Sequence, residues 1–227
     1  NPVVIVSLGE TVLPLPYITT IDELYAMTDQ EFEAVDGVLM RIMNATKSSG
    51  TWPANNESWA NIEISDNGGS NTLRCYIFAN TNIGGNEEPE WPVNMLTLVY
   101  NYDDDNHDVG DGPSDRQITP VYYDNFYTKL VWRGSTGNKL WSDTRNWSPY
   151  ILPQTVDSVI FDNITGPADD YEVIIDNLVV PYVSGIHVNP SAGKNITVII
   201  PNTNTNSPAI DLAANGSGLV IGEGSIF

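Results

Sequence analysis

Hydrophobic and polar positions alternate along most of this chain at the period of strands, and the apolar runs are short and rich in β-branched residues. After Gly37 come VLMRIMNA, WANIEIS, TLRCYIFA, VNMLTLVYNY and RQITPVYYDNF, parted by TKSSGTWPANNE, DNGGSN, NTNIGGNEEPEWP and the acidic DDDNHDVGDGPSD. Five strands joined by Gly/Asn/Asp turns predict a small closed or partly open barrel, because closure removes exposed edges. Ahead of them, VVIVSL at 3–8 and LPLP at 13–16 read as an arriving strand or linker. Thr20 before Asp22 and Glu23, and Thr28 before Asp29, Gln30 and Glu31, predict short capped helical turns. Their acids are expected to be solvated or to face helix N-termini.

A different pattern follows Leu130–Pro153, which holds Trp132, Trp141 and Trp147 among glycines and polar turn formers. Beyond it the runs DSVIFDN, YEVIIDN, GIHVN, ITVIIPN, AIDLA and LVIGEGSIF recur, most of them ending in Asn or Asp, residues that readily turn a corner. No helical period intervenes. Such a series fits a sandwich or a parallel solenoid, and the asparagines at strand ends favour the solenoid. A solenoid must cover its apolar end. Trp132 and Trp147 are therefore expected to be buried as a structural cap against the rungs, and Trp141, amid Lys139 and Ser142, to stay exposed.

Two resemblances extend this reading. The ordered blocks FEAVDGVLMRI, GTW, ISDNGG, TLRCYIF, TNIGG and ITPVYYDNF, over about residues 17–127, resemble the OB-like domain of surface and secreted proteins of Bacteroidetes. The W-x-G of residues 132–134, the Trp141 and Trp147 pair, and NWSPYILPQTVDSVIFDN resemble the module that opens β-helical regions in large surface proteins of that phylum. Those proteins are often adhesin-like and exported by type IX secretion, which implies an extracellular or cell-surface location. The fold expected is all-β: a small OB-like β-barrel followed by a Trp-rich cap and the first turns of a parallel β-solenoid. Residues 1–16 are the N-terminal strand or linker, 17–128 the five-stranded barrel, and 129–227 the cap and start of the solenoid, truncated at the C-terminus. Asp157-Ser158-Val159 also fits the short O-glycosylation acceptor pattern of the phylum.

Composition narrows the partners. Nine Lys/Arg against 29 Asp/Glu give a net charge of -20, which opposes a phosphate backbone and excludes nucleic acid as a partner. No apolar stretch approaches the ~20 residues of a membrane span, so no membrane insertion is expected. Asn1-Pro2 lacks signal-peptide features, and the chain reads as an excised segment. The single Cys75 can form no internal disulfide and reads as a small buried hydrophobe. The N-x-S/T sequons at Asn44, Asn56, Asn146, Asn163, Asn195 and Asn215 matter only in a glycosylating eukaryotic host.

Candidate chemistry is of two kinds. OB-folds bind oligonucleotides or oligosaccharides, which directs attention to Trp52, Trp59, Tyr76 and Tyr100; with charge against the first ligand, sugar binding remains, using exposed Trp52, Trp91 or Trp141. Aromatics plugging the barrel ends are the alternative. In the acidic loop, Asp104, Asn106 and Asp108 alternate and Asp115 falls twelfth, a partial match to a calcium loop. Val109 departs from that pattern, and a solvated hairpin tip is the other reading. With His107 and His187 as the only histidines, no G-x-S-x-G, no HExxH and no P-loop, the chain is read as no enzyme. The function expected is a non-catalytic extracellular structural or adhesive segment of a larger protein. Its alternatives are a carbohydrate-binding module, with calcium as the one cofactor considered, and a self-associating filament or surface-layer subunit. A glycan or surface partner, or a second copy, is the partner expected.

Overall fold

The computed structural model describes residues 15–66, 71–102, 115–213 and 216–222. Among these residues strands predominate, and no helix is long and apolar enough to cross a membrane. The chain divides into two compact units that meet in sequence at Thr128 and Lys129.

The first unit begins with β1 (Tyr17–Thr19), α1 (Ile21–Ala26) and α2 (Asp29–Glu33). Both helices carry a reciprocal capping box, Thr20 with Glu23 and Thr28 with Glu31, as the spacing of Thr and Glu predicts. Five strands follow: β2 (Leu39–Gly50), β3 (Ala60–Asp66), β4 (Leu73–Ile77), β5 (Val93–Asn101) and β6 (Arg116–Thr119). Each of the five pairs with two others. β2–β3, β3–β4, β5–β6 and β2–β5 are antiparallel and β4–β6 is parallel, so the hydrogen-bonded ladder returns to its start. Closure depends on the length of β2. Its first half pairs with β5 and its second half with β3, and a register shift between Ile42 and Ala45, with Asn44 at φ 54°, bends the strand between them.

Inward residues fill the ring. Ile42, Ile62, Ile64, Cys75, Ile77, Met95, Val99 and Ile118 are fully buried, together with Phe32 from α2. Burial pushes the Cys75 thiol far above its ordinary range, so it behaves as the buried hydrophobe its strand context predicts. Arg116 is also buried. It donates to the carbonyls of Leu24 and Tyr25, pairs with Asp29 at 3.0 Å, and lies 5.0 Å from the Phe32 ring, fixing both helices to one end of the ring.

The last run of this unit is shorter than its apolar pattern predicts. β6 stops at Thr119 because Pro120 has no N–H to give the ladder, and the Asn125 side chain accepts from the backbone of Val121 and Tyr122 to fold a turn. Two residues then resume pairing as β7 (Phe126–Tyr127).

The second unit is a stack of parallel strands. β8 (Leu130–Trp132) and β9 (Trp147–Ser148), which pair antiparallel with each other, come first. They are followed by β10 (Ser158–Asp162), β11 (Tyr171–Ile174), β12 (Tyr182–Val183), β13 (Gly185–Asn189), β14 (Ile196–Ile199), β15 (Asp211–Leu212) and β16 (Gly218–Ile221). β10 pairs with β13, β11 with β14, β12 with β15 and β13 with β16, all parallel. Every one of these strands thus finds the third strand after it, which is a three-sided coil, and the stacked solenoid arrangement prevails over the sandwich. Side-chain amides hold the corners: Asn204 donates to the carbonyls of Ile175 and Asp176, and Asn177 accepts from the backbone of Thr205 one coil on.

The tryptophan segment lies on the first coil. β8 pairs parallel with β10, Leu140 bridges Ile174, and all three rings turn inward onto Phe161. Trp132 and Trp147 are buried as expected. Trp141 is also buried, at 1% exposure, which corrects the expectation that it faces solvent. The reason is its backbone. Trp141 N–H donates to the Ile174 carbonyl and Lys139 C=O accepts from Ile174 N–H, so this stretch adds itself to the β11 face while Lys139 turns out to pair with Glu172.

One acid in this segment reports on its packing. Asp143 accepts from the Arg145 side chain, which outweighs burial, and with Asn138 and the Arg145 backbone holds its pKa at about 2, down from 3.8. A folded pKa below the unfolded one gives stability that is present above about pH 4 and lost as pH falls to about 2. Chemical denaturation at pH 5 and pH 2 is expected to show a smaller acid-induced loss in Asp143→Asn than in the wild type.

Candidate carbohydrate-binding groove

On the outer face of β3, β4, β6 and β5 lies a groove of about 340 Å³, at the small end of ligand clefts. Strand alternation puts its residues there. In β4, Leu73, Cys75 and Ile77 point to the core, which leaves Arg74 and Tyr76 outside, with Phe78 just beyond the strand. Asn61 on β3 is the register partner of Tyr76, and Gln117 on β6 lies between Arg74 and Tyr100. Tyr102 completes the wall.

Trp59 and Tyr76 stack with centroids 6.1 Å apart and planes 23° from parallel, and Phe78 meets Tyr76 edge-on at 4.6 Å. These rings are not core. Trp59 is 61% exposed, and Phe78, Tyr100 and Tyr102 are each more than 40% exposed. A pair of near-parallel rings on an open face, beside amide and guanidinium groups, can stack on a flat apolar ligand face while those groups hydrogen-bond its edge.

The tryptophans singled out in the sequence lie elsewhere. Trp52 and Trp91 are half-buried, meet edge to face at 6.5 Å, and both pack on Phe126. Their indole N–H groups are engaged by the Asn86 carbonyl and by Glu88, so they close one side of the core and present no shared stacking face. Trp141, enclosed by Trp147 and Phe161, has no free face for a sugar. Sequence reading does flag Trp59, Tyr76 and Tyr100. It passes over Asn61, Arg74, Phe78, Tyr102 and Gln117, although the alternation in TLRCYIF already sets Arg74, Tyr76 and Phe78 on one face.

Asp104, Asn106 and Asp108 of the expected calcium loop, and His107, lie outside the described residues. Asp115 is described, and its carbonyl accepts from Tyr102 N–H. Among the described residues no group of three or more His, Cys, Asp or Glu side chains is placed to hold a metal ion.

Two other clusters are accounted for by packing. A cleft of about 450 Å³ beside Trp132 is lined by groups that already have partners, Lys139 with Glu172 and Asp170 with Asn195. Ser217 approaches His187 Nε2 at 3.4 Å, a pairing of the residue types that serve elsewhere as nucleophile and base. The same hydroxyl lies 3.4 Å from Ser158, which in turn lies 3.5 Å from Ser184. Ser184 and Ser217 hold equivalent positions on successive coils, one residue before the register partners Gly185 and Gly218, and Ser158 of the Asp157-Ser158-Val159 triplet, which is in register with Gly185, lies in contact with both serines.

Scans of this chain against protein-family models, curated proteins and solved structures each return no match.

Proposed function

We propose that this chain is a non-catalytic, extracellular structural and adhesive segment in which an OB-like barrel, residues 17–128, binds carbohydrate. Residues 129–227 form the Trp-capped start of a β-solenoid. The observation that carries the reading is the exposed Trp59–Tyr76 stack in a groove with Asn61, Arg74 and Gln117. Support for the OB-like assignment comes from strand order: a five-stranded ring whose third and fifth strands pair in parallel, with the groove on the face of its second and third strands. Charge selects among OB ligands. Lys47 and Arg116 are already paired with Glu88 and Asp29, so the described residues of this unit offer no cationic track for a phosphate backbone.

The cap reading rests on the three inward tryptophans over the first coil, large enough to cover an apolar end. The coil then serves as a stiff ladder and the acidic surface keeps it soluble.

A glycan array probed with the purified chain tests the adhesive reading. Trp59→Ala is expected to reduce binding at least tenfold and leave the melting temperature unchanged, since an exposed ring contributes little to the fold. Equal binding by the variant would remove the groove as the site.

A second reading, self-association, is favoured by β16. Its Leu219, Val220 and Ile221 are exposed, an apolar surface that a second copy can cover. Sedimentation that shows a monomer at high concentration would remove it.

A further inference from the structure

We infer that the groove reads neutral pyranose chains through their hydroxyls, and that Gln117, with Arg74 beside it, is the specificity-determining residue. This rests on the carbohydrate reading above and goes further by naming the ligand's chemistry and the side chains that select it.

Gln117 occupies the middle of the groove floor. Its neighbour Ile118 points into the core, so Gln117 faces outward, yet the residue is only 2% exposed. Its side-chain oxygen Oε1 is buried and has no hydrogen-bond partner. Buried polar atoms are nearly always partnered, and one left without a partner is unfavourable in the free protein. A ligand donor that enters the groove and reaches this oxygen, with a small rotation of the amide, removes that penalty.

Arg74 is the complementary half. It sits directly across the β4–β6 ladder from Gln117. Glu63 is its register partner on β3, but Arg74 forms no ion pair with Glu63 or any other described residue, unlike Lys47 and Arg116 in the same unit. The groove therefore offers a buried acceptor without a donor next to a part-exposed guanidinium that forms no ion pair with a described residue.

That combination distinguishes ligands. A carboxylate or phosphate group only accepts hydrogen bonds, so it can serve Arg74 but not Gln117 Oε1, and an acidic sugar must still bring a hydroxyl to that oxygen. A hydroxyl both donates and accepts, so two neighbouring hydroxyls of one sugar ring serve both residues at once. The Trp59–Tyr76 stack accommodates the C–H face of the same ring. Net charge agrees: residues 1–128 hold four Lys/Arg and twenty Asp/Glu, a field that repels acidic polysaccharide and is indifferent to a neutral one.

The test is titration calorimetry of the whole chain with three probes: a cello-oligosaccharide, a manno-oligosaccharide and an oligogalacturonate. At least one neutral probe is expected to bind and the acidic one to bind at least tenfold more weakly. Gln117→Leu is expected to weaken neutral-sugar binding at least tenfold while its melting temperature equals or exceeds that of the wild type, because the substitution removes the orphaned acceptor. Arg74→Gln, at a surface position, is the second variant and is expected to lose at least fivefold. A merely structural glutamine would lower the melting temperature and leave binding by the folded protein intact. Preference for the acidic probe, or unchanged affinity in both variants, overturns this inference and leaves the adhesive reading standing. Failure of the wild type to bind any glycan, here and on the array, overturns both.

Discussion

Replacing Trp147 by Ala is expected to destabilise the coiled unit by about 4 kcal/mol, the size seen when a buried large aromatic is deleted and its cavity cannot collapse. Three features place Trp147 at the upper end. It is fully buried, it is the ring that meets both other tryptophans, at 5.0 Å from Trp132 and 4.7 Å from Trp141, and its indole N–H donates to the Trp141 carbonyl at 2.9 Å. The substitution opens the centre of the cluster and leaves that carbonyl without its donor. It also strikes where β9 pairs with β8, and β8 is the strand that connects the segment to β10. Denaturation followed by near-ultraviolet dichroism, which reports on packed indoles, is the measurement, with exposed Trp59→Ala as the matched control. A loss below about 1 kcal/mol would mean that the rings do not carry the packing attributed to them.

What is legible in the sequence is what depends on near neighbours. The Thr20–Glu23 and Thr28–Glu31 boxes are local in both sequence and space, and they form as read. Strand alternation is equally local, so the inward set of β3 and β4 follows from the pattern alone. Pairing is not local. Short β-branched runs fit a sandwich or a coil equally well by period, and the fact that each strand from β10 to β13 pairs with the third strand after it arises only from stacking. β12 escapes a reading by period because PYVS offers just two strand residues after a proline.

The tryptophans show the same division. Trp141 lies close to polar Lys139 and Ser142 in sequence, which predicts exposure; the hydrogen bond from its N–H to Ile174 brings a distant strand over it instead. Trp52 and Trp91 lie in loops full of Asn, Pro and Glu, yet Phe126, far along the chain, gives both a surface to pack on. For the groove, aromatic residues on an outward strand face are a readable signal. Gln117 is not, because an unpartnered oxygen is a property of what surrounds it in three dimensions.

Asn146→Leu is expected to destabilise the same unit by about 3 kcal/mol, although it replaces a polar residue by an apolar one of similar size at a fully buried position. The side chain of Asn146 is completely used. Its oxygen accepts from Thr136 N–H at 3.0 Å and from the Thr136 hydroxyl at 2.8 Å, and its amide nitrogen donates to Asn138 Oδ1 and the Leu140 carbonyl. These partners position the turn between Trp132 and Trp141, so leucine would strand several half-buried polar groups at once, each worth about 1 kcal/mol or more. Asn146→Asp separates this hydrogen-bond account from simple packing because the shape is kept. The carboxylate would set a second acceptor against Asn138 Oδ1 and the Leu140 carbonyl, two other acceptors, so its folded pKa must rise above the unfolded value. A raised carboxyl pKa makes the destabilisation largest at neutral pH and relieves it as pH falls towards about 4, opposite in sign to Asp143. Denaturation midpoints of Asn146→Asp relative to the wild type at about pH 7 and about pH 4.5 give the answer: a gap that narrows on acidification supports donation by the Asn146 amide, and a gap that stays constant would leave packing as the sole role of this side chain.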